Sequence, residues 1–400
     1  MTELPIIIVG AGIGGLSLAQ GLSKHNIPFR VYEADESLTS RPQGYRVRIS
    51  DEGVDSLRQN LSAKHLQDVE SSCSAITARS NAPVARLSTE DASAAAPIFK
   101  PGAEAPFPLQ GDSNILSADR TVLRTLLLRG IENYVTFGRR FKSFTETADA
   151  VLVRFEDEQE VNASVLVGAD GTWSRVRRQW LPKCALLDTE ARLIFGKSNL
   201  GGDLARQFSK EASRGLTLLQ SPSIKCLLEP MHFRRHLDGL PEDYVYWVLF
   251  LQSDTENIPG DILSRNATDI KTLTQELTSN WHPSLRCLFE DPHVSQLSVL
   301  QVLSTDPHTL DWTQQSGAGR ITLIGDAAHA MSPTAALGAT TALQDTATLL
   351  TSIRALGVVP RALREYEHQM GIYAIEALKK TLIGGKAMFG MRAFEDLPRV

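Results

Sequence analysis

The chain opens on a short apolar run, Ile6-Ile7-Ile8-Val9, that stops at Gly10-Ala11-Gly12-Ile13-Gly14-Gly15. An unbroken apolar run predicts a strand buried on both faces. Leu16, Leu18, Ala19 and Leu22 then recur at helical spacing. A buried strand, a glycine turn and a helix in immediate succession leave few folds open. Gly10 permits the tight turn, Gly12 lets the backbone approach a pyrophosphate, and Gly15 lets helix and strand pack closely. The helix start offers unpaired N–H groups and partial positive charge to phosphates. A second strand, Phe29-Arg30-Val31-Tyr32, ends in Glu33, about 20 residues on, where a ribose-binding acid belongs. An acid there suits a free ribose diol and repels a 2′-phosphate, so FAD or NAD is the expected resident nucleotide.

Composition narrows the class without naming it. The chain has 400 residues, a formal net charge of −5 and 42% hydrophobic residues, enough for two domains. The slightly acidic balance argues against nucleic acid or an anionic membrane surface as a partner. No run approaches the ~18 apolar residues of a membrane span. The N-terminus lacks the basic leader of a secretory signal. Cys73, Cys184, Cys226 and Cys287 form no metal cluster, C-x-x-C pair or disulfide framework, as expected of thiols in a reducing cytoplasm. No metal site is expected.

Other stretches set the organisation. Ser88 to Pro108 reads as an irregular excursion, and Phe141 to Val167 as a small β-meander. Strands are expected at Arg192–Phe195, Ile224–Leu228 and Tyr244–Leu251, and helices at Ile270–Leu277 and Leu285–Leu288. A further buried strand is expected over Arg320–Ile324, and a helical tail over Arg361–Ile383 with Leu363, Tyr366, Met370, Tyr373 and Leu378 on its packing face.

Two more glycine-bearing segments complete the pattern. Gly168-Ala169-Asp170-Gly171-Thr172-Trp173-Ser174-Arg175-Val176-Arg177 resembles the GADG-x-x-S-x-V-R motif of flavoprotein aromatic hydroxylases. Gly325-Asp326-Ala327-Ala328-His329, followed by Pro333, resembles their GDAAH-x-x-x-P motif. With the first turn, the chain resembles the single-component, FAD-dependent class A monooxygenases of para-hydroxybenzoate hydroxylase fold. Its length and the Arg41-Pro42-Gln43-Gly44-Tyr45-Arg46 region look most like fungal members that act in secondary metabolism. The resemblance implies an α/β protein: a Rossmann-like FAD-binding domain (GR2-type) with an inserted mixed-sheet substrate domain and a C-terminal helix. Residues 1–75, 109–184 and 303–355 are expected to form the discontinuous FAD-binding domain. Residues 76–108 and 185–302 are expected to bind substrate, and 356–400 to form the tail.

Carried over residue by residue, the resemblance implies cofactor contacts from Gly10, Gly12, Gly14, Gly15, Glu33, Arg41, Arg46, Arg120, Asp170, Asp326, Pro333, Gly338 and Ala339. Asp326 should bind the FAD ribityl hydroxyls or the pyrophosphate environment, Arg120 should reach the flavin side, and Arg41 should lie beside the dinucleotide as a charge partner. The segment from Pro333 should open a helix whose start stabilises charge at the flavin pyrimidine edge, by ~0.3–2 kcal/mol per site. The family usually carries a glycine two or three residues after that proline; here Ala335 and Ala336 stand there, and the frequent asparagine is Thr340. These methyls put the usual flavin motion in question. His329 reads as a packing residue of the motif.

The chain carries one dinucleotide fingerprint, so NADPH or NADH is expected as a transient co-substrate. The resemblance implies flavin reduction, a C4a-hydroperoxide, and oxygen transfer to a bound small molecule without a protein nucleophile. Lys197, Tyr246, Arg48 and His232 are the candidates to position a substrate phenolate or carbonyl. Tyr244, Tyr246 and Phe250 share one strand face, and Arg46 and Arg48 share a face expected to be solvated for at least one of them. The expected activity is hydroxylation or epoxidation of an aromatic, polyketide or alkaloid-like molecule by a cytoplasmic monomer or homodimer. A Baeyer–Villiger or ring-rearranging monooxygenase, a flavin oxidase and a non-redox flavin-binding protein stay open as alternatives.

Overall fold

A computed structural model describes residues 4–40, 46–74, 85–95, 115–221, 224–234, 239–252, 258–310 and 319–400. The first layer is a parallel sheet whose central strand is the opening apolar run. Its strands are β1 (Ile6–Val9), β2 (Phe29–Tyr32), β6 (Val135–Thr136), β10 (Val165–Gly168) and β16 (Ile321–Leu323), in the order β16-β10-β1-β2-β6. Every residue of β1 and β10 is buried, which is why both read as unbroken apolar runs. The three glycine-bearing segments follow β1, β10 and β16, so the parallel register brings them to one edge of this sheet.

A second sheet has six strands in the order β15-β11-β14-β13-β12-β4. These are β4 (Ala85–Ser88), β11 (Leu186–Asn199), β12 (Thr217–Gln220), β13 (Lys225–Met231), β14 (Tyr244–Leu251) and β15 (Ser298–Thr305). The alternation along β14 separates its two faces. Val245, Trp247, Leu249 and Leu251 pack behind the sheet with Ile270, Leu273, Leu285 and Phe289. Tyr244, Tyr246, Val248 and Phe250 join the core shared with the parallel layer. A two-stranded ribbon, β3 (Arg46–Ile49) with β5 (Leu116–Asp119), and the meander β7 (Phe141–Glu146), β8 (Val151–Phe155) and β9 (Glu160–Ala163) complete the sheets.

Several elements are longer or shorter than their sequence pattern suggests. The strand expected over Arg192–Phe195 is the middle of β11, which bends where its pairing with β15 shifts between Asp188 and Arg192. The tail helix runs Pro360–Phe389 and buries Leu363, Tyr366, Met370 and Leu378. The helix expected to open at Pro333 starts later, at Gly338, and runs to Leu356. Residues Pro333–Ala335 form a single 3-10 turn closed by Ala336 in the left-handed region (φ 54°, ψ 30°). A left-handed residue cannot continue a right-handed helix. The irregular excursion over Ser88 to Pro108 lies largely outside the described residues.

No helix among the described residues is long and apolar enough to cross a membrane. No described group of His, Cys, Asp or Glu could hold a metal ion. All four cysteines are free.

Candidate active site

The edge where the glycine-bearing segments meet is held by side chains that bond to backbone. Gly10 adopts φ +111°, and a Cβ there would meet the Ala169 carbonyl oxygen at 2.3 Å. Glu33, buried at the end of β2, accepts the N–H of Ala11 (2.8 Å) and of Asp35 (2.9 Å). Arg124, on the Arg120–Leu128 helix, gives Nε and Nη2 to the Ala11 carbonyl and Nη1 to that of Leu38. Arg177 donates to the carbonyls of Thr172 (2.6 Å), Ala327 (2.9 Å) and Asp326 (3.3 Å), tying the second segment to the third. Asp345 accepts from the Gly325 N–H, shares a 2.7 Å hydrogen bond with His329 Nε2, and accepts from the Tyr373 hydroxyl. Burial pushes the His329 imidazole down, but the Asp345 carboxylate outweighs it and leaves the net shift upward. His329 is fully buried and packs, as its place in the motif suggests.

Between this edge and the second sheet lies a cavity of about 380 Å³. On the nucleotide side it is lined by Gly12, Gly14, Gly15, Arg120, Asp326, Pro333, Gly338 and Ala339. The other wall carries Phe195, Tyr246, Val248 and Phe250, with Arg46 and Arg48 of β3 beside them. Neither arginine lies on an outer solvated face, because both line the cavity. The Arg46 side chain is only 6% exposed, lies 5.0 Å from the Tyr246 ring centroid, and approaches Glu229 to 2.6 Å. That approach is off the hydrogen-bonding direction, so Arg46 Nε and Nη2 and Glu229 Oε2 keep no directed partner. Burial lowers Arg48, with Glu229 opposing the shift. Burial likewise pushes the Tyr246 phenol up, so it keeps its proton.

Other expected contacts stand elsewhere. Lys197 does not line the cavity: its ammonium is 2.6 Å from Asp119 Oδ2, which also accepts the Tyr244 hydroxyl at 2.9 Å. His232 does not reach the cavity lining either, and its Nδ1 lies 2.8 Å from Asp243. Asp170 turns its Oδ2 to the N–H groups of Arg175 and Val176 and so holds a helix start. Burial raises its carboxyl despite those bonds. Gly10 and Glu33 brace the turn from behind the lining. Arg41 lies outside the described residues.

Sequence reading overlooked Arg124 and Arg177 as braces, although Arg177 closes the quoted Gly168–Arg177 stretch and Arg124 follows Arg120 by one helical turn. It also overlooked Arg86, Glu229 and Asp119, which belong to no local motif.

The cradle fits a dinucleotide. Gly12 has φ −74°, which any residue adopts, and a Cβ there would meet no protein atom within 4 Å. Neither backbone strain nor protein packing therefore accounts for a glycine facing this cavity; close approach by a bound group does. Fold and cradle together define an FAD-binding α/β protein with a second sheet over its nucleotide edge. A family model described as "FAD binding domain" matches residues 3–185 and 236–370, and the chain belongs to that family.

Its relatives agree. The dual O-methyltransferase/FAD-dependent monooxygenase elcB of Phaeosphaeria nodorum is 34% identical over 98% of this chain and 47% of that protein. The dual O-methyltransferase/FAD-dependent monooxygenase CTB3 of Cercospora beticola is 32% identical with the same two coverages. The chain thus spans about half the length of these curated relatives. A crystal structure of a putative FAD-containing monooxygenase from Photorhabdus luminescens superimposes with a TM-score of 0.76 at 27% identity, covering 96% of this chain and 99% of that one.

Proposed function

We propose that the chain is an FAD-dependent monooxygenase of secondary metabolism. It uses NADPH or NADH and O2 to hydroxylate or epoxidise an aromatic, polyketide- or alkaloid-like small molecule. The observation that carries this reading is the single cavity shared by the glycine cradle and the aromatic wall of the second sheet. The names of the fungal relatives point the same way.

Bound FAD supplies the electron transfer and oxygen activation that protein side chains cannot. The chain's own residues supply position and electrostatics. Asp326 is exposed to the cavity and accepts from cofactor hydroxyls, while Arg120 reaches the cofactor from the same nucleotide side. Gly338 and Ala339 present the start of a long helix, whose partial positive charge steadies negative charge placed there. Tyr246 keeps its proton and donates from Oη. Arg46 and Arg48 hold a substrate oxygen in its ionised form, which activates the ring carbon beside it. Phe195, Val248, Phe250 and Met388 keep water from the reacting atoms.

The test is the visible spectrum of the purified, FAD-loaded protein before and after anaerobic NADPH or NADH, with a panel of phenols. Bleaching of the flavin, faster with one phenol, is the expected result. A spectrum untouched by either nicotinamide with every phenol would replace this reading with an oxidase or a non-redox role.

A further inference from the structure

The front of the second sheet reads row by row, because register holds across five strands. Phe195 faces Val248, Val248 faces Leu227, Leu227 faces Leu218, and Leu218 faces Arg86. All five line the cavity. Leu87 and Leu219, one position along their strands, are buried behind the sheet, so alternation puts Arg86 and Leu218 in front. With strands about 4.8 Å apart, four spacings carry this row roughly 19 Å from the Phe195 position to that of Arg86.

The rows on either side differ. Two residues along, Lys197, Tyr246 and Glu229 form a polar row, in which Lys197 meets Asp119 and Glu229 meets Arg46. On the other side, Phe250 faces Lys225, whose ammonium donates to the carbonyls of Ala387 and Met388. The middle row is therefore an apolar strip between two rows whose lysines are already paired, ending in a guanidinium on the edge strand. Unlike Lys197 and Lys225, Arg86 has no ion-pair or hydrogen-bond partner for its side chain among the described residues. The named cavity lining carries Arg46, Arg48, Arg86 and Arg120 against one carboxylate, Asp326.

We propose that Arg86 is a specificity-determining residue, and that the substrate is a flat, extended aromatic acid whose carboxylate it holds. This rests on the reading of the cavity as an aromatic substrate site. A flat ring system matches the aliphatic strip, which offers neither donors nor acceptors. A carboxylate matches the planar fork of a guanidinium with two parallel hydrogen bonds. A half-buried arginine facing a cavity holds that anion more strongly than a solvated one, because water competes less.

The test uses the FAD-loaded protein and two fluorescent probes of one shape, anthracene-2-carboxylate and its neutral amide. Binding is read from quenching of the probe and perturbation of the flavin spectrum, with no turnover required. The carboxylate should bind about 10- to 100-fold more tightly than the amide, the size of a charge-assisted hydrogen bond. Arg86→Met should abolish that preference while leaving amide binding within about twofold, and Arg86→Lys should restore part of it.

Equal binding of the two probes by the unaltered protein would overturn the proposal, whatever the variants do. So would a carboxylate preference that survives in Arg86→Met. A variant that spares the preference but raises the KM for NADPH would assign Arg86 to the nicotinamide nucleotide instead. Failure of the parent reading looks different: the flavin would resist reduction by NADPH and NADH however the probes bind.

Discussion

The turn after β1 and the sheet wall across the cavity both rest on buried cations, but the two sets find opposite partners. At the nucleotide edge, Arg124 and Arg177 are spent on backbone carbonyls. Their guanidiniums fix the path of loops whose own hydrogen bonds are left open by the turn. At the wall, Lys197 meets Asp119 and Arg46 meets Glu229, side chain to side chain, each at 2.6 Å. A carbonyl brace determines where backbone sits and so shapes a cradle that must match a dinucleotide. A buried ion pair holds two strands together and leaves the exposed face of the sheet free to vary. The cradle and the wall are thus built by separate devices.

Arg177→Met is the most severe way to probe the first device. It removes the donor to three carbonyls, those of Thr172, Asp326 and Ala327, through which the second segment is tied to the third. An unsatisfied buried acceptor costs about 1–3 kcal/mol; with the Ala327 carbonyl buried and the other two half-buried, the expected loss is roughly 3–5 kcal/mol by denaturant titration. FAD should be lost at the same time, since two cradle segments come apart. A variant that keeps both its stability and its yellow colour would show that the braces are ornamental and dissolve the contrast.

Lys197→Met probes the second device and should cost less. Asp119 would lose its ammonium but keep the Tyr244 hydroxyl and the N–H groups of Thr121 and Val122. Stranding a wholly unpaired buried charge costs about 3–5 kcal/mol; with three donors remaining, roughly 2–3 kcal/mol is expected. Cofactor retention, read from the flavin absorbance per mole of protein, should be unchanged. Loss of FAD here, as large as in Arg177→Met, would mean that wall and cradle fail as one unit.

The same contrast explains what could be read from the sequence. Cradle residues lie within a few positions of each other along the chain, because a turn and the helix after it are local objects. Gly10 to Gly15, the stretch from Gly168 and the stretch from Gly325 therefore announce themselves, and the cavity lining contains Gly12, Asp326 and Pro333 as their spacing suggests. The wall is assembled by register between strands far apart in sequence. Arg86 sits opposite Leu218, more than a hundred residues away, in a stretch that carries no periodic signal of its own. Lys197 and His232 had the right chemistry for a substrate contact, but each found a carboxylate partner that only the fold supplies.

The mildest change tests a place where the cradle departs from its family. Ala336 lines the cavity and holds φ 54°, ψ 30°, a conformation that costs an L-residue with a Cβ about 1–2 kcal/mol. Glycine would relieve that strain, but it gives the unfolded chain more freedom, a penalty of roughly 0.5–1 kcal/mol. The relief is the larger of the two, so Ala336→Gly should raise stability by about 0.5–1 kcal/mol, measurable as a shift in denaturation midpoint at constant slope. A less stable variant would mean that the methyl makes contacts worth more than the strain it imposes. The position would then join the wall, where side-chain packing decides, rather than the cradle, where backbone conformation does.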